Sequence, residues 1–403
     1  MKRQRFGRRG RKIRRRRNSI KQSNWWPFLL IGGAILLILS IAALVLFFAL
    51  PKAAEWFEFD YKPPFLPEAT PAPTPHPTPT PHPITYFNAT EHTQEVLLDL
   101  PAEYKWLADP FVYNGKMIIC AGKAIQADNN RVHMQQMCWF DPAARTSEPL
   151  SLSPGNVHFM FPKFNDKWLV YLDAKMDGGG ALMAVDLTAS PLKPTKIKDI
   201  YTGQPEPMLD GNNVAFMDRT GSKREKLFVC DLTTMESTVV EMFPGTVYGQ
   251  SKPSFYKGRL LWADSATAEG ESDLSSINYI DLSSSIISSY TPGTFVHDPK
   301  SIGPYTAWLS DVHSNATQLY AVRGLTGTPE LLDSAVVDFG IGSDFVAYSR
   351  GESIYLYMFE TKGIYRLTHD YEYAQFLGVS DDYVFWMDVT TRERDIVKFV
   401  AIP

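Results

Sequence analysis

Four aspartates close apolar runs in this 403-residue chain: Asp173, Asp218, Asp264 and Asp388 end the triplets Tyr171–Asp173, Phe216–Asp218, Trp262–Asp264 and Trp386–Asp388. Carboxylates brought together in pairs do general acid–base chemistry, so these are the first residues to weigh as catalytic groups. Their recurrence points elsewhere. The first three lie 45 and 46 residues apart, and a short acidic side chain repeated once per unit is expected to cap a hairpin turn by bonding backbone N–H groups.

A second set is more promising for binding. Asp109, Glu206, Lys252, Asp298 and Asp338 share one position, each just before an anchor residue (Pro110, Pro207, Pro253, Pro299 and Phe339). Two further units carry Phe161 and Phe376 there, before Pro162 and Leu377. Five charged side chains at one repeat position are costly to bury, which predicts a wet channel mouth that draws in a cationic or polar group. Lys163 and Lys300 follow their anchors on the same strand face. His158, Gln250, His297 and Gln375 stand close enough in sequence to add hydrogen bonds.

Other chemistry is not supported. Three cysteines without a Cys-x-x-Cys pair make neither a zinc site nor a disulfide framework. Cys120 and Cys138 fall on neighbouring predicted strands and read as small buried hydrophobes, with a bridge as the alternative. Neither a Gly-x-Ser-x-Gly elbow nor a His-Glu-x-x-His pair occurs. No cofactor and no metal is expected. Asn88–Thr90 and Asn315–Thr317 are glycosylation sequons, informative only in a eukaryotic host.

The elements that must position these residues are short strands. After each aromatic-x-Asp triplet comes a second apolar-Asp element (Phe140–Pro142, Val185–Leu187, Cys230–Leu232, Ile280–Leu282), and no long helical pattern intervenes between residues 92 and 403. Units of roughly 38–52 residues, each with about four strands, are the spacing of a β-propeller. Seven such units are read, with strand one carrying the anchor and lining a central channel. Asp177–Gly180 supplies a hairpin turn. The last unit lacks an outer strand, and the segment Gln94–Leu100 ahead of the first unit is expected to fill that place and clasp the ring.

At the strand-two and strand-three aspartates the chain resembles the TolB-like propellers and, more loosely, the propeller domains of dipeptidyl peptidases. Units one, five and six depart from the pattern, with Ala121, Ser310 and Arg350 at the first Asp position. The resemblance covers residues 92–403 and implies recognition of proteins, peptides or glycans rather than chemistry. The alternative is a propeller enzyme acting on glycans or peptides in the central funnel.

Ahead of this domain stand three segments. Residues 1–24 hold twelve Lys or Arg and no acid. Residues 25–50 include the uncharged run Phe28–Leu50, whose 23 residues reach ~34 Å as a helix, enough to cross a hydrocarbon core of ~30 Å. Residues 51–91 form a linker with ten prolines between Pro63 and Pro83, an extended spacer in which His76 and His82 are poor metal ligands. The charge asymmetry predicts a single-pass anchor with a cytoplasmic N-terminus and an extracytoplasmic propeller. Beyond residue 21 the chain has 28 basic and 44 acidic residues, a net of −16, so nucleic acid is not an expected partner. The fold class expected is all-β: a seven-bladed propeller preceded by one transmembrane α-helix and a proline-rich linker.

Overall fold

The computed structural model describes residues 84–86 and 92–402, apart from 126–130, 177, 202, 219–224, 244–250, 265–273, 285, 313–315 and 391–392. The basic tail, the apolar run and the proline-rich stretch lie outside the described residues, within which no helix is long and apolar enough to cross a membrane.

Strands make up the rest. Two short ones come first, β1 (Ile84–Tyr86) and β2 (Gln94–Glu95). The first blade is β3 (Tyr104–Tyr113), β4 (Lys116–Ile125), β5 (Arg131–Asp141) and β6 (Thr146–Pro149). The second is β7 (His158–Phe164), β8 (Trp168–Ala174), β9 (Gly180–Asp186) and β10 (Pro194–Ile200). The third is β11 (Met208–Asp210), β12 (Asn213–Asp218), β13 (Lys226–Asp231) and β14 (Glu236–Met242). The fourth is β15 (Ser254–Tyr256), β16 (Arg259–Asp264), β17 (Leu274–Asp281) and β18 (Ile287–Thr294). The fifth is β19 (Val296–Ile302), β20 (Tyr305–Val312), β21 (Ala316–Arg323) and β22 (Glu330–Ser334). The sixth is β23 (Val336–Ile341), β24 (Phe345–Arg350), β25 (Ser353–Met358) and β26 (Ile364–Arg366). The seventh has β27 (Ala374–Ser380), β28 (Tyr383–Asp388) and β29 (Ile396–Ala401).

Each blade is an antiparallel meander, and the first strands neighbour one another in a closed cycle from β3 through β7, β11, β15, β19, β23 and β27 back to β3. The first strands are therefore the inner strands. The seventh blade is completed by β2, which pairs antiparallel with β29 (Gln94 opposite Phe399, Glu95 opposite Lys398). Val96 N–H continues the ladder to Val397 O at 2.9 Å. The clasp read from Gln94–Leu100 is present, with the strand itself confined to Gln94–Glu95, and two segments far apart in sequence close one sheet.

Why the ring holds is visible in its core. The second and third strands bury both faces, as in β8, where every residue is buried, because each blade packs on two neighbours. Seven apolar clusters result, one at each blade boundary. At the closing boundary Val96 joins Leu107, Phe140, Phe385 and Phe399, with Leu98 and Leu100 packed alongside. In the second blade Gly180 must be glycine: at φ +144 a Cβ there would meet Asp173 O at 2.1 Å.

The structure amends several expectations. Ile84–Tyr86, assigned from sequence to the end of the linker, is a strand that pairs parallel with β26 on the outer edge of the sixth blade. Of the strand-two aspartates, Asp173 and Asp388 accept from backbone N–H groups as expected, in different loops. Asp173 accepts from Gly155 N (3.0 Å) and Asn156 N (2.9 Å) in the loop entering β7. Asp218 is buried, with Lys198 Nζ of the second blade at 3.7 Å, and Asp264 is exposed. Asp388 caps a turn, through Thr390 N; the residues that follow Asp218 and Asp264 lie outside those described. Turn capping among the described residues falls also to the strand-three series, where Asp141, Asp186 and Asp231 accept from Ala143, Thr188 and Thr233 N–H groups. All three cysteines are free and buried. Cys120 pairs opposite Met137 and Cys138 opposite Ile119, so the two thiols point to opposite faces of the sheet. Burial pushes the Cys138 thiol up to about 12.

Candidate functional site

Each inner strand is interrupted where the charged position was read. In β3, β7 and β19 the register slips between Ala108 and Phe111, Met160 and Lys163, and His297 and Lys300. Two residues then face one on the partner strand, a β-bulge. The first bulge residue takes left-handed backbone in each case: Asp109 (φ 52), Phe161 (φ 52) and Asp298 (φ 50). Asp accepts this conformation more readily than most residues. In β23 the slip comes at Val337 and in β27 at Leu377. β11 and β15 begin only after Glu206-Pro207 and Lys252-Pro253. The prolines, which have no N–H to donate, thus fall where no ladder bond is needed.

The bulges and these strand entries turn the side chains toward the neighbouring blades. Asp109 Oδ2 accepts from Phe161 N at 2.9 Å across the first boundary. Lys163 Nζ lies 2.8 Å from Glu206 Oε1, and Lys252 Nζ lies 2.8 Å from Glu206 Oε2, so one carboxylate is gripped by ammoniums from both neighbours. Asp298 Oδ1 accepts from Lys252 N at 2.8 Å, and its own N–H donates to Ser251 Oγ at 2.8 Å. Lys300 Nζ is 3.8 Å from Asp338 Oδ1 and donates to Phe339 O. Five successive boundaries, from the first blade to the sixth, are stitched by groups at or beside the shared position.

The electrostatics follow from this lacing. Burial would push the Glu206 carboxyl up, but the Lys163 and Lys252 ammoniums, with their hydrogen bonds, hold it well below the usual carboxylate range. Glu206 in turn raises Lys252 to about 12. Burial also opposes the charge on Asp298, and the hydrogen bond from His297, the Lys300 ammonium and Lys252 N–H outweigh it, leaving that carboxyl low. Asp109 is the exception: burial dominates and its carboxyl is raised. His297 has Nδ1 at 3.0 Å from Asp298 and Nε2 at 3.7 Å from Asp311. Its burial favours the neutral ring, yet these carboxylates lift its pKa above the ordinary value.

Of the residues singled out in the sequence, Asp109, Lys163, Glu206, Lys252, His297, Asp298, Lys300 and Asp338 are brought into this stitched ring. His158 is not: it packs edge-on against His133 of the first blade at 5.7 Å, and burial followed by His133 lowers its pKa. Gln375 is exposed at the start of β27, and Gln250 lies outside the described residues. Reading the sequence missed Ser251 and Asp311, which carry no repeat signal, although Asp311 follows Ser310 at a position where aspartate recurs in other units. Side chains facing solvent are few: Lys252 is 51% and Asp338 56% exposed, against 16% for Glu206. Among the described residues no cluster of His, Cys, Asp and Glu has the spacing of a metal site.

The arrangement is a rim of alternating charge, four carboxylates interleaved with three lysines. It can offer donors and acceptors side by side to a polar ligand. The excess of carboxylate expected from the sequence is largely neutralised in place.

No family model and no curated protein matches the chain. Solved structures do. The β-propeller domain of the Trilobed protease from Pyrococcus furiosus, described as having an open velcro topology, superposes with a TM-score of 0.55 at 14% identity, over 74% of this chain and 94% of that one. An oligogalacturonate lyase in complex with manganese gives 0.53 at 12% identity, over 80% and 97%. The acylaminoacyl peptidase of Pyrococcus horikoshii gives 0.53 at 12%, over 70% of this chain and 49% of that one, so this chain spans about half its length. The chain therefore carries a seven-bladed β-propeller, as its resemblance to the TolB-like propellers implied, and at 12–14% identity the likeness extends to the fold alone.

Proposed function

We propose that this protein is a membrane-anchored, extracytoplasmic propeller that binds a protein, peptide or glycan at the cell envelope, with the ligand contacting the charged end of the inner strands. The observation that carries this reading is the laced rim: bulges and the entries to the inner strands aim charged side chains from six blades at one another, and leave Lys252 and Asp338 half-exposed. A rim of paired charges keeps its geometry without a ligand, which lowers the ordering cost of binding. Interleaved signs suit a partner with both donors and acceptors, such as a peptide backbone or a sugar. The anchor and spacer are supported by the uncharged 23-residue run and the ten prolines that follow it.

The test uses the exposed members of the rim, because Asp298 holds Lys252 N and its replacement would disturb the fold. Lys252→Gln and Asp338→Asn together are expected to weaken ligand capture by the full chain at least tenfold while the melting temperature stays within a few degrees. Undiminished capture would remove the rim from the binding site. Turnover of a captured peptide or glycan would instead identify the protein as an enzyme.

A further inference from the structure

One sector of the charged end is built differently. The seventh blade has Gln375 and Phe376 in place of a charge, and the loop leading into it displays Tyr371, which is 91% exposed, with Tyr373 at 48%. Val389 (41% exposed) meets this loop, donating its N–H to Tyr373 O at 2.9 Å. An exposed apolar patch, unlike a lone exposed side chain, is informative. This one is rigid. Arg366 Nη1 holds Asp370 at 2.6 Å and Nη2 donates to His369 O at 2.9 Å. Glu372 Oε2 accepts from His369 N at 3.2 Å, while its Oε1 accepts from Trp386 Nε1 (3.0 Å) and Lys398 Nζ (2.9 Å). Tyr373 N donates to Thr390 Oγ1 at 3.3 Å. On this pedestal Tyr371 adopts φ 69, a backbone state that bulky residues avoid unless the surroundings impose it.

Elsewhere the molecule places cations on such rings. Among the described residues nine aromatic rings carry a lysine or arginine of their own chain over the face, among them Trp139 with Lys116, Phe339 with Lys300 and Tyr355 with Arg350. Tyr371 and Tyr373 carry none among the described residues, and no other ring stacks on them. Their surroundings favour a cation from outside. Asp370 keeps 66% of its side chain exposed beside them, and the chain beyond residue 21 has a net charge of −16.

We infer that Tyr371 and Tyr373 form a docking site for an arginine- or lysine-bearing segment of a partner protein, whose cation stacks on the open rings and pairs with Asp370. Val389 supplies the apolar contact for the stem of that side chain. The site is separate from the stitched ring and does not depend on it.

The experiment is a binding titration on the full chain in detergent by fluorescence anisotropy. The probe is a labelled hexapeptide of alternating glycine and arginine. A glycine–glutamate peptide and chitohexaose serve as competitors. The arginine peptide is expected to bind, to weaken severalfold between 50 and 200 mM salt, and to resist both competitors. Tyr371→Ala with Tyr373→Ala should weaken it about tenfold without moving the melting temperature, and the paired Phe variants should restore it because the ring faces remain. Lys252→Gln with Asp338→Asn, which tests the rim, should leave this affinity within about twofold. Equal binding by the double alanine variant, no binding of the arginine peptide, or displacement by chitohexaose would each overturn the assignment.

Discussion

The inner strands of the propeller have two ends, and each is laced by a different chemistry. At the end where the inner strands turn into the second strands, backbone, amide and hydroxyl donors do the joining, mostly onto aspartates. Asp381 accepts from Asn114 and Gly115 N–H groups, Asn114 Nδ2 reaches Asp166 (3.3 Å), and Asn165 Nδ2 reaches Gly211 O (2.7 Å). Gly258 N donates to Asp210 (2.5 Å), Ser301 N to Ser254 Oγ (3.3 Å) and Ser343 Oγ to Asp382 (2.8 Å). These are turn residues used twice, once to bend the chain and once to hold the next turn. At the opposite end ammoniums join the carboxylates, in part on bulged backbone. The difference lies in the ammoniums, and it is the basis for proposing that this end, rather than the turn end, meets a ligand.

The largest effect should come from opening the ring, which severs both ends at once. A protein beginning at residue 102 loses β2 and the buried contact of Val96, and is expected to lose cooperative melting by circular dichroism, whereas one beginning at residue 84 keeps it. Next, Glu206→Gln strips the charge that compensates two ammoniums, at a cost of about 3 kcal/mol at pH 7 in urea unfolding. The sign of its pH dependence follows from the depressed carboxyl. Its contribution is complete above the unfolded value of about 4.3 and is lost as pH falls through the lower folded value. The gap between wild type and Glu206→Gln should therefore narrow at pH 3.

On the turn side, Ser380 Oγ donates to Val112 O and accepts from Val112 N across the closing boundary. Ser380→Ala orphans both buried groups and is expected to cost about 2 kcal/mol with no change in ligand capture. The smallest effect should be that of Asp338→Asn, within about 0.5 kcal/mol in stability because the side chain is largely solvated. A loss of ligand capture in that variant would sharpen the contrast between the ends.

Much of this architecture was legible in the residues. The period of the aromatic-x-Asp triplets gave the blades, and the outer strand missing from the last unit gave the clasp, because an apolar segment, Gln94–Leu100, stood ahead of the first unit to fill it. The charged position was legible too, and its consequence was there to be drawn. Residues one period apart stand side by side in a ring, so Glu206 and Lys252, 46 residues apart, meet as an ion pair. What stayed hidden depends on three-dimensional detail. The bulges at Asp109, Phe161 and Asp298 leave no mark beyond the anchors that follow them. Asp173, Asp218 and Asp388 look alike in sequence and part company because different loops and neighbouring blades meet them. β1 was hidden by its length, three residues directly after the prolines, too few to show alternation.

The central claim, that the charged end meets the ligand while the turn end does not, is tested most directly by site-specific photo-crosslinking in intact cells. A benzophenone side chain replaces Gln375, exposed at the charged end, or Asp344, exposed in a turn at the other. Adducts from position 375 and none from position 344 are the predicted result. Adducts from position 344 alone, or equal yields from both, would contradict the account.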